Sequence, residues 1–307
     1  MRLADLFFLS RPTLFFVNWI ILILGFHCPG NAPADSLNLW LLMLEYACIS
    51  GAAVIVNQLH DLESDRANGK LLILDQGLVS VRAAWTLALG LLLSGIGVSL
   101  WLGWLNSLLT VGFFVLSGLV YNLPPLATKN RPWAGMVTLA PATSALYLQA
   151  ALLGGLEDPG SGVLHSLPIL LACLGVGLLT TLPDREGDRQ NGKRTFPVCY
   201  GEARTWQLAA LFLLASCATG LALGQWVVAL PALGALGLTA WGARQPDSSE
   251  AGPVSRWSIL LQALALVPGW PWFGALMLGF WCAARVYYRR RFGLVYPRLG
   301  RDHGESA

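Results

Sequence analysis

The chain has 307 residues, of which 55% are hydrophobic and only 12% are charged. Soluble domains average about 25% charged residues, so this composition argues against a water-soluble domain and predicts a polytopic membrane protein. The net charge is only +3, which gives no sign of a nucleic-acid-binding surface. The six cysteines show no C-x-x-C spacing, and therefore neither a zinc site nor a redox motif is indicated.

Nine apolar segments follow one another along the chain, each close to the ~20 residues that a bilayer requires. Their ranges are 13–28, 37–57, 82–104, 106–122, 133–154, 163–182, 204–222, 226–243 and 257–287. We therefore expect an all-α bundle of about nine transmembrane helices, with residues 1–287 as a single domain and residues 288–307 as a basic C-terminal tail. The ninth segment carries "PGWPW" at 268–272, so it is either one broken helix or a re-entrant pair.

Lysine and arginine occur in alternate loops and leave the loops between them free of positive charge. All three lysines, Lys70, Lys129 and Lys193, lie in the loops 57–82, 122–133 and 183–204. The positive-inside rule places these loops on the cytoplasmic side. The basic C-terminal tail should be cytoplasmic too, but nine crossings would put it outside. A break at 268–272 would resolve the conflict, so ten spans also remain possible.

Two acidic motifs stand where apolar segments end. In "NQLHDLESD", Asn57, Asp61 and Asp65 are spaced four residues apart, which places them on one face of a helix. In "DREGD", Asp184 and Asp188 have the same spacing. Like charges at this spacing repel, and ionised carboxylates near hydrocarbon are costly, so a cation must neutralise them.

Carboxylate and amide oxygens are hard ligands that suit Mg²⁺ or Mn²⁺. Mg²⁺ typically takes one or two carboxylates and fills its other positions with water and substrate phosphates. Nearby lysines and arginines would then contact the phosphate oxygens. The alternative is a solvated helix end with ordinary salt bridges. Two such motifs at matching depth, on the same face of the membrane, favour a functional site.

These motifs resemble those of the UbiA-type integral-membrane prenyltransferase superfamily. Its first motif, Asn-x-x-x-Asp-x-x-x-Asp, is matched by Asn57, Asp61 and Asp65, and its second, Asp-x-x-x-Asp, by Asp184 and Asp188. "YNLPPLATKNRPW" at 121–133 is similar to the family's tyrosine–proline–lysine loop. "LSRPT" at 9–13 is similar to its N-terminal Arg-Pro.

The resemblance implies a prenyltransferase domain of nine helices around a central cavity open to lipid. It implies two Mg²⁺ ions, with Mn²⁺ as a possible substitute, and an isoprenoid diphosphate donor. One ion would be held by Asn57, Asp61 and Asp65, and the other by Asp184 and Asp188. Lys129 and Lys193 would contact the diphosphate, with Arg66, Lys70 and Arg189 as weaker candidates. Tyr121 would lie near the reacting carbon or the diphosphate.

The sequence departs from the family pattern in two places. The residue after Asn57 is often aspartate in the family but is Gln58 here. After Asp65 many members carry an arginine-containing stretch, whereas this chain reads "NGKLLILDQGLVS", so that Lys70 is the nearest cation there. These differences weaken any transfer of acceptor identity from better-known members.

The expected reaction is Mg²⁺-dependent transfer of an isoprenoid group from its diphosphate to a lipophilic or aromatic acceptor at the membrane. Two other readings remain open. An intramembrane terpene cyclase would use the same motifs without an acceptor. An ion-coupled transporter would instead place acids at membrane depth, in broken helices related by inverted repeats.

Two further charged residues have alternative interpretations. Arg11 either binds a carboxylate of the acceptor or anchors the first helix at the membrane surface. Glu45 lies inside the second predicted span. It either supports the site or acceptor, or hydrogen-bonds to a neighbouring helix.

Overall fold

A computed structural model of the protein describes residues 2–31, 35–62, 73–245 and 250–300. This part of the chain is built from helices and contains no strand, which confirms the expected all-α class. It divides into two compact units, Met1–Ser166 and Leu167–Ala307.

Seven helices begin in the first unit. They are α1 (Leu3–Leu9), α2 (Phe15–Phe26), α3 (Ser36–His60), α4 (Val81–Leu102), α5 (Trp104–Phe114), α6 (Ala134–Leu153) and α7 (Pro159–Thr181), the last of which continues into the second unit. Three short turns complete the unit. These are a 3₁₀ turn at Pro12–Leu14, a π-helical turn at Val115–Val120 and a 3₁₀ turn at Thr128–Asn130.

The second unit continues from α7 with two short helices followed by four long ones. They are α8 (Arg185–Gln190), α9 (Phe196–Tyr200), α10 (Glu202–Ala222), α11 (Trp226–Gly242), α12 (Ala251–Leu266) and α13 (Pro271–Phe292). The predicted ninth span is therefore two helices. Pro271 opens α13, where a missing backbone N–H costs nothing, and Val267–Trp270 separates it from α12.

Six helical segments of the described chain are long and apolar enough to cross a membrane. One combines α1, the Pro12–Leu14 turn and α2 as Leu3–Phe26, and the others are α3, α4, α6, α7 and α10. Two shorter apolar helical segments, Trp104–Val120 and Trp226–Gly242, overlap the predicted spans 106–122 and 226–243. A total of nine crossings therefore stays a prediction.

The interior of the first unit forms where α2, α3 and α6 pack together. Leu42 and Tyr46 of α3 and Leu146 and Tyr147 of α6 are among its fully buried side chains. Gly25 of α2 lies so close to the carbonyl oxygen of Tyr147 that any side chain there would collide with it. Such small residues let membrane helices approach closely, which is how they gain van der Waals contact within lipid.

The outer surface of the first unit is as apolar as its interior. Helix α4 exposes Trp85, Leu89, Leu93, Leu100 and Trp101. An exposed apolar face of this extent suits hydrocarbon rather than water, and tryptophans near the ends of a span are typical of membrane interfaces.

The second unit uses the same kind of close packing. Gly220 of α10 lies against Ala229 of α11, where an added side-chain carbon would come within 3.1 Å of the Ala229 side chain. The buried Ser216 hydroxyl of α10 donates a hydrogen bond to the carbonyl oxygen of Pro168 in α7, at 2.7 Å. These contacts hold the helices that lead into and away from the second acidic motif.

A buried polar cluster lies inside the first unit, around Glu45 of α3. The Glu45 carboxylate is completely buried and accepts hydrogen bonds from Asn106 Nδ2 at 2.9 Å, from Gln149 Nε2 at 3.2 Å and from the Thr110 hydroxyl. Tyr46 donates to Gln149 Oε1 at 2.5 Å. Glu45 is thus hydrogen-bonded to its neighbouring helices α5 and α6, which was one of the two expected interpretations.

Replacing Glu45 should test what this cluster contributes to stability. Glu45→Leu would remove the acceptor that Asn106, Thr110 and Gln149 share. Thr110 would keep its bond to the Asn106 carbonyl at 2.9 Å and Gln149 its bond to Asn106 Oδ1 at 2.6 Å. Each hydrogen bond lost to Glu45 costs about 0.5–1.5 kcal/mol. Glu45→Gln keeps one acceptor, and its amide can donate to Thr110. We expect the midpoint of thermal unfolding in detergent to fall clearly for the leucine variant and less for the glutamine variant.

The exposed acid Glu157 provides a matched control in the same unit. Glu157→Gln should leave the midpoint of unfolding unchanged. A leucine variant at position 45 that is as stable as the wild type would mean that the cluster does not need its carboxylate.

Candidate active site

The first acidic motif lies at the C-terminal end of α3. Asn57 is in the last turn of the helix, and Asp61 follows the final helical residue and donates its backbone N–H to the Asn57 carbonyl at 2.9 Å. The expected four-residue spacing is therefore helical. The remaining candidates of this region, Asp65, Arg66 and Lys70, lie outside the described residues.

Lys129 contacts the first motif directly. Its ammonium Nζ lies 2.5 Å from Asp61 Oδ2. The two side chains are only 10% and 15% exposed, so this pair is shielded from water. A shielded ion pair at the end of an apolar helix differs from the ordinary solvated bridge, because water screens its charges less.

The segment Val115–Asn130 carries Lys129 to this position. Tyr121 directly follows the π-helical turn, and the backbone N–H of Lys129 donates to the carbonyl oxygen of Tyr121 at 3.2 Å. A side-chain carbon added at Gly135 of α6 would lie 3.6 Å from the Lys129 Cα atom and 3.6 Å from the Tyr121 ring. Tyr121 and Lys129, predicted as separate site residues, are thus neighbours in the fold.

Asn122 is a site residue that the sequence analysis did not identify. It is buried, and its Oδ1 atom accepts a hydrogen bond from Asn57 Nδ2 at 2.6 Å. Asn57 and Asn122 are 65 residues apart, so no sequence spacing indicates the contact.

Gln58 connects the first motif to the turn that carries Arg11. Gln58 is buried, and its Nε2 atom donates to the carbonyl oxygens of Leu9 at 2.9 Å and Val54 at 3.3 Å. Arg11 follows in a left-handed backbone conformation, with φ of 49°, which is strained for a residue with a side chain. An aspartate at position 58 could not donate these bonds when ionised, which explains the glutamine physically.

The second acidic motif begins where α7 ends. Asp184 precedes the first residue of α8, and the backbone N–H of Asp188 donates to the Asp184 carbonyl at 2.8 Å, as helical spacing requires. Asp188 is buried, whereas Asp184 is half-buried. The Arg185 guanidinium donates to Glu202 Oε1 at 2.7 Å, which ties α8 to the start of α10.

The end of α8 returns the chain so that Lys193 lies over Asp188. Gly192 adopts φ of 69°, its N–H bonds to the Arg189 carbonyl, and the Lys193 N–H bonds to the Asp188 carbonyl at 2.9 Å. This pair of bonds is the Schellman motif, in which glycine takes the left-handed position. The Lys193 ammonium Nζ then lies 3.6 Å from Asp188 Oδ1.

Asp188 is electrostatically unlike an exposed carboxylate. Burial raises its pKa above the usual value, and the charge of Asp184 raises it further. Lys193 and the Thr195 hydroxyl act in the opposite direction, because both favour the charged form. A second positive charge nearby would further stabilise the ionised form of Asp188, and a bound cation would supply that charge.

Arg189 occupies a different environment from the two lysines. Its guanidinium contacts Glu186 Oε1 at 2.9 Å, and both side chains are more than 60% exposed. The hydrogen bond from Arg189 lowers the pKa of Glu186. This is the solvated helix-surface bridge considered above as the alternative. It lies in the same helix as the buried Asp188, whose partner Lys193 follows the end of that helix.

The donor set of both motifs suits a hard divalent cation. Within the described ranges no three histidine, cysteine, aspartate or glutamate side chains gather in a metal-binding group. Each motif instead offers two oxygen-bearing side chains there, Asn57 with Asp61 and Asp184 with Asp188. This is the number that Mg²⁺ commonly takes when phosphates and water fill its remaining positions.

The fold and the two motifs define an all-helical membrane protein with an acid–lysine pair at the end of an apolar helix in each unit. A model of the UbiA prenyltransferase family matches residues 17–260. Because this match covers well over half of the chain, the protein belongs to the UbiA prenyltransferase family. It is accordingly an integral membrane protein.

Two curated relatives illustrate the similarity. The homogentisate phytyltransferase of Synechocystis sp. is 31% identical over 226 residues, which cover 68% of this chain and 70% of the relative. The chloroplastic chlorophyll synthase of Arabidopsis thaliana is 28% identical over 217 residues, which cover 64% of this chain and 54% of the relative. The chain thus spans little more than half the length of that chlorophyll synthase.

Solved structures share the fold. A UbiA homologue from Archaeoglobus fulgidus bound to DMAPP and Mg²⁺ aligns with a TM-score of 0.66 and 19% identity, covering 85% of this chain and 99% of the homologue. An apo UbiA homologue from Aeropyrum pernix K1 aligns with a TM-score of 0.62 and 16% identity, covering 88% and 99%.

The hydrogen bonds of Gln58 generate a prediction with a pH signature. Gln58→Glu would place a carboxylate against the carbonyl oxygens of Leu9 and Val54, neither of which can donate. We expect this variant to have a lower midpoint of thermal unfolding at neutral pH and to recover part of the loss as the pH falls, because the protonated acid can donate.

Gln58→Met provides the comparison. It removes the hydrogen bonds without adding a charge, so its midpoint of unfolding should fall without that pH dependence. If the midpoints of unfolding of the two variants change in parallel from pH 5 to pH 8, hydrogen-bond donation by Gln58 does not connect the first motif to the end of α1.

Proposed function

We propose that this protein transfers an isoprenoid group from its diphosphate to a lipophilic or aromatic acceptor within the membrane, in a Mg²⁺-dependent reaction. The observation that carries the proposal is the pairing of a lysine with an acidic-motif carboxylate in each unit. A carboxylate suits the cation and a lysine suits the phosphate, so each pair combines the two charges that a metal-bound diphosphate needs.

The proposed cation ligands are Asn57, Asp61 and Asp65 in the first motif and Asp184 and Asp188 in the second. The chemistry that Mg²⁺ supplies when bound is neutralisation of the negative charge on the departing diphosphate. The homologue from A. fulgidus was solved with DMAPP and Mg²⁺, which supports a cation and an isoprenoid diphosphate for this chain.

Lys129 and Lys193 are the proposed diphosphate-binding cations. Each lies against a motif carboxylate, at 2.5 Å from Asp61 and 3.6 Å from Asp188. A divalent cation held by these carboxylates would offset their charge, so that Lys129 and Lys193 could direct their donors to phosphate oxygens. Arg66, Lys70 and Arg189 are weaker candidates from the sequence, and Arg189 pairs with Glu186 on the exposed surface of α8.

The carbon–oxygen bond of the donor breaks as the diphosphate takes the bonding electrons, and an allylic cation remains. An aromatic face can stabilise such a cation electrostatically. Tyr121 is the proposed residue near the reacting carbon or the diphosphate, because its backbone carbonyl binds Lys129. The acceptor then attacks the cation through an electron-rich carbon or a hydroxyl oxygen, and releases a proton.

The acceptor is proposed as a lipophilic molecule with an aromatic ring or hydroxyl. The relatives named above act on different acceptors, as their names indicate, so the pathway does not follow from them. Arg11 is a proposed contact for an acidic acceptor. The basic loops place this chemistry at the cytoplasmic face by the positive-inside rule.

Metal-dependent release of diphosphate tests the first step. We expect purified protein incubated with a panel of isoprenoid diphosphates and Mg²⁺ to release diphosphate when a suitable acceptor is present. Release should stop with EDTA and fall at least about 100-fold in Asp61→Ala and Asp184→Ala, which is the scale typical for loss of a charge-stabilising group. Pyrophosphate is measured directly, and the organic product is identified by mass spectrometry.

Glu186→Gln is the matched control, since Glu186 is an exposed acid in the same helix as Asp188. It should retain activity. An organic product formed from the isoprenoid diphosphate in the absence of any acceptor would identify a terpene cyclase instead. Donors that neither react nor bind in a Mg²⁺-dependent manner would exclude the diphosphate function and favour the transporter reading.

Substitution of either lysine should lower kcat/KM more than substitution of Arg189. Lys129→Met and Lys193→Met each remove a charge-assisted contact, so kcat/KM for the donor should fall about 10-fold or more. Arg189→Met removes an exposed, solvent-screened charge and should change it less than about threefold. Steady-state kinetics over a range of donor concentrations, with thermal unfolding of each variant as a folding check, decides between these outcomes. Equal losses in all three would contradict the special role of the buried lysines.

A further inference from the structure

The orientation of Asn122 follows from the groups that surround it. Asn122 is only 4% exposed, and its Nδ2 atom donates to the carbonyl oxygens of Ser117 at 2.9 Å and Gly118 at 3.0 Å. A carbonyl oxygen can only accept, so the amide nitrogen of Asn122 must face these two atoms. The Oδ1 atom of Asn122 must therefore face the other way, toward Asn57.

The orientation of Asn57 follows in turn. Its Nδ2 atom lies 2.6 Å from Asn122 Oδ1. Reversing the Asn57 amide would place two acceptor oxygens against each other, so the hydrogen-bond network selects one orientation. In that orientation the Asn57 Oδ1 atom points away from Asn122. This matters because the amide oxygen binds hard cations, whereas the amide nitrogen does not.

We propose that Asn122 is a positioning residue that fixes the Asn57 carboxamide with its oxygen toward the cation of the first acidic motif. The inference rests on the proposed function, which supplies that cation. Both polar atoms of Asn122 are engaged by protein groups, so it acts through Asn57 rather than on the cation or the diphosphate.

The π-helical turn provides the anchor for this arrangement. Ser117 and Gly118 belong to Val115–Val120, and Asn122 lies two residues beyond its end. Carbonyl oxygens near a helix end lack partners within the helix and accept side-chain donors instead. The same segment continues to Lys129, which pairs with Asp61. The same stretch of chain thus orients Asn57 through Asn122 and pairs Asp61 with Lys129.

Mn²⁺ binding to the full-length protein in detergent tests the proposal without an activity assay. Mn²⁺ is titrated in the presence of inorganic pyrophosphate, free Mn²⁺ is followed by electron paramagnetic resonance, and a protein-free titration accounts for the solution complex. Four proteins are compared: the wild type, Asn122→Ala, Asn57→Asp, and the variant that carries both substitutions. The aspartate presents an oxygen whichever way its side chain turns, so it needs no orientation.

In the wild-type background Asn122→Ala should weaken Mn²⁺ binding about 10- to 100-fold, the range typical for partners that orient metal ligands. In the Asn57→Asp background the same substitution should have no weakening effect. An equal loss in both backgrounds, or no loss in the wild type, would overturn the proposal. Wild-type protein that binds no Mn²⁺ would overturn the proposed function as well, which separates the two failures.

Asn130→Ala provides a control in the same segment. Asn130 Oδ1 is buried and has no hydrogen-bond partner within the described part of the chain, so this substitution shortens an asparagine without removing an accepted bond. Asn130→Ala should leave Mn²⁺ affinity unchanged. A loss equal to that of Asn122→Ala would assign the effect to general loosening of the segment and overturn the proposal.

Discussion

The structure depends most on one electrostatic constraint, which is that a carboxylate at the end of an apolar helix needs a nearby cation. Asp61 ends α3 and Asp188 follows α7, and both are largely shielded from water. Each is paired with a lysine, and removing one member of a pair shielded from water destabilises the charge that stays. The loops that deliver these lysines are therefore part of the site rather than connections between helices.

The two units meet this constraint with different local structures. Lys193 lies five residues after Asp188, and the left-handed Gly192 turns the chain back over the carboxylate. Lys129 lies 68 residues after Asp61 and reaches it through a π-helical turn and a segment held against Gly135. The second pair is thus built by local chain geometry, whereas the first requires tertiary packing of α3 against the segment Val115–Asn130.

Burial of a polar side chain within the membrane-spanning helices does not by itself mark a reactive site. Glu45 lies deep in α3, and its carboxylate is satisfied by donors from two neighbouring helices. Arg189 and Glu186 show the opposite case, an ion pair near the site that is exposed and screened. The acid–lysine pair in each unit differs from both, because its charges are mostly shielded from water and lie beyond the long apolar helix that precedes them.

The sequence by itself determined the all-α class, the apolar helices and the positions of both acidic motifs, because hydrophobic length and four-residue spacing are local properties of the chain. The "PGWPW" stretch left open whether the predicted ninth span is one broken helix or a pair, and the structure shows two helices. Only the tertiary structure decided the contacts of Asn122 with Asn57, Gln58 with Leu9, and Lys129 with Asp61. Each joins residues at least 49 positions apart through a single hydrogen bond or ion pair. Such contacts leave no periodic pattern in the chain, since packing of the helices alone brings the partners together.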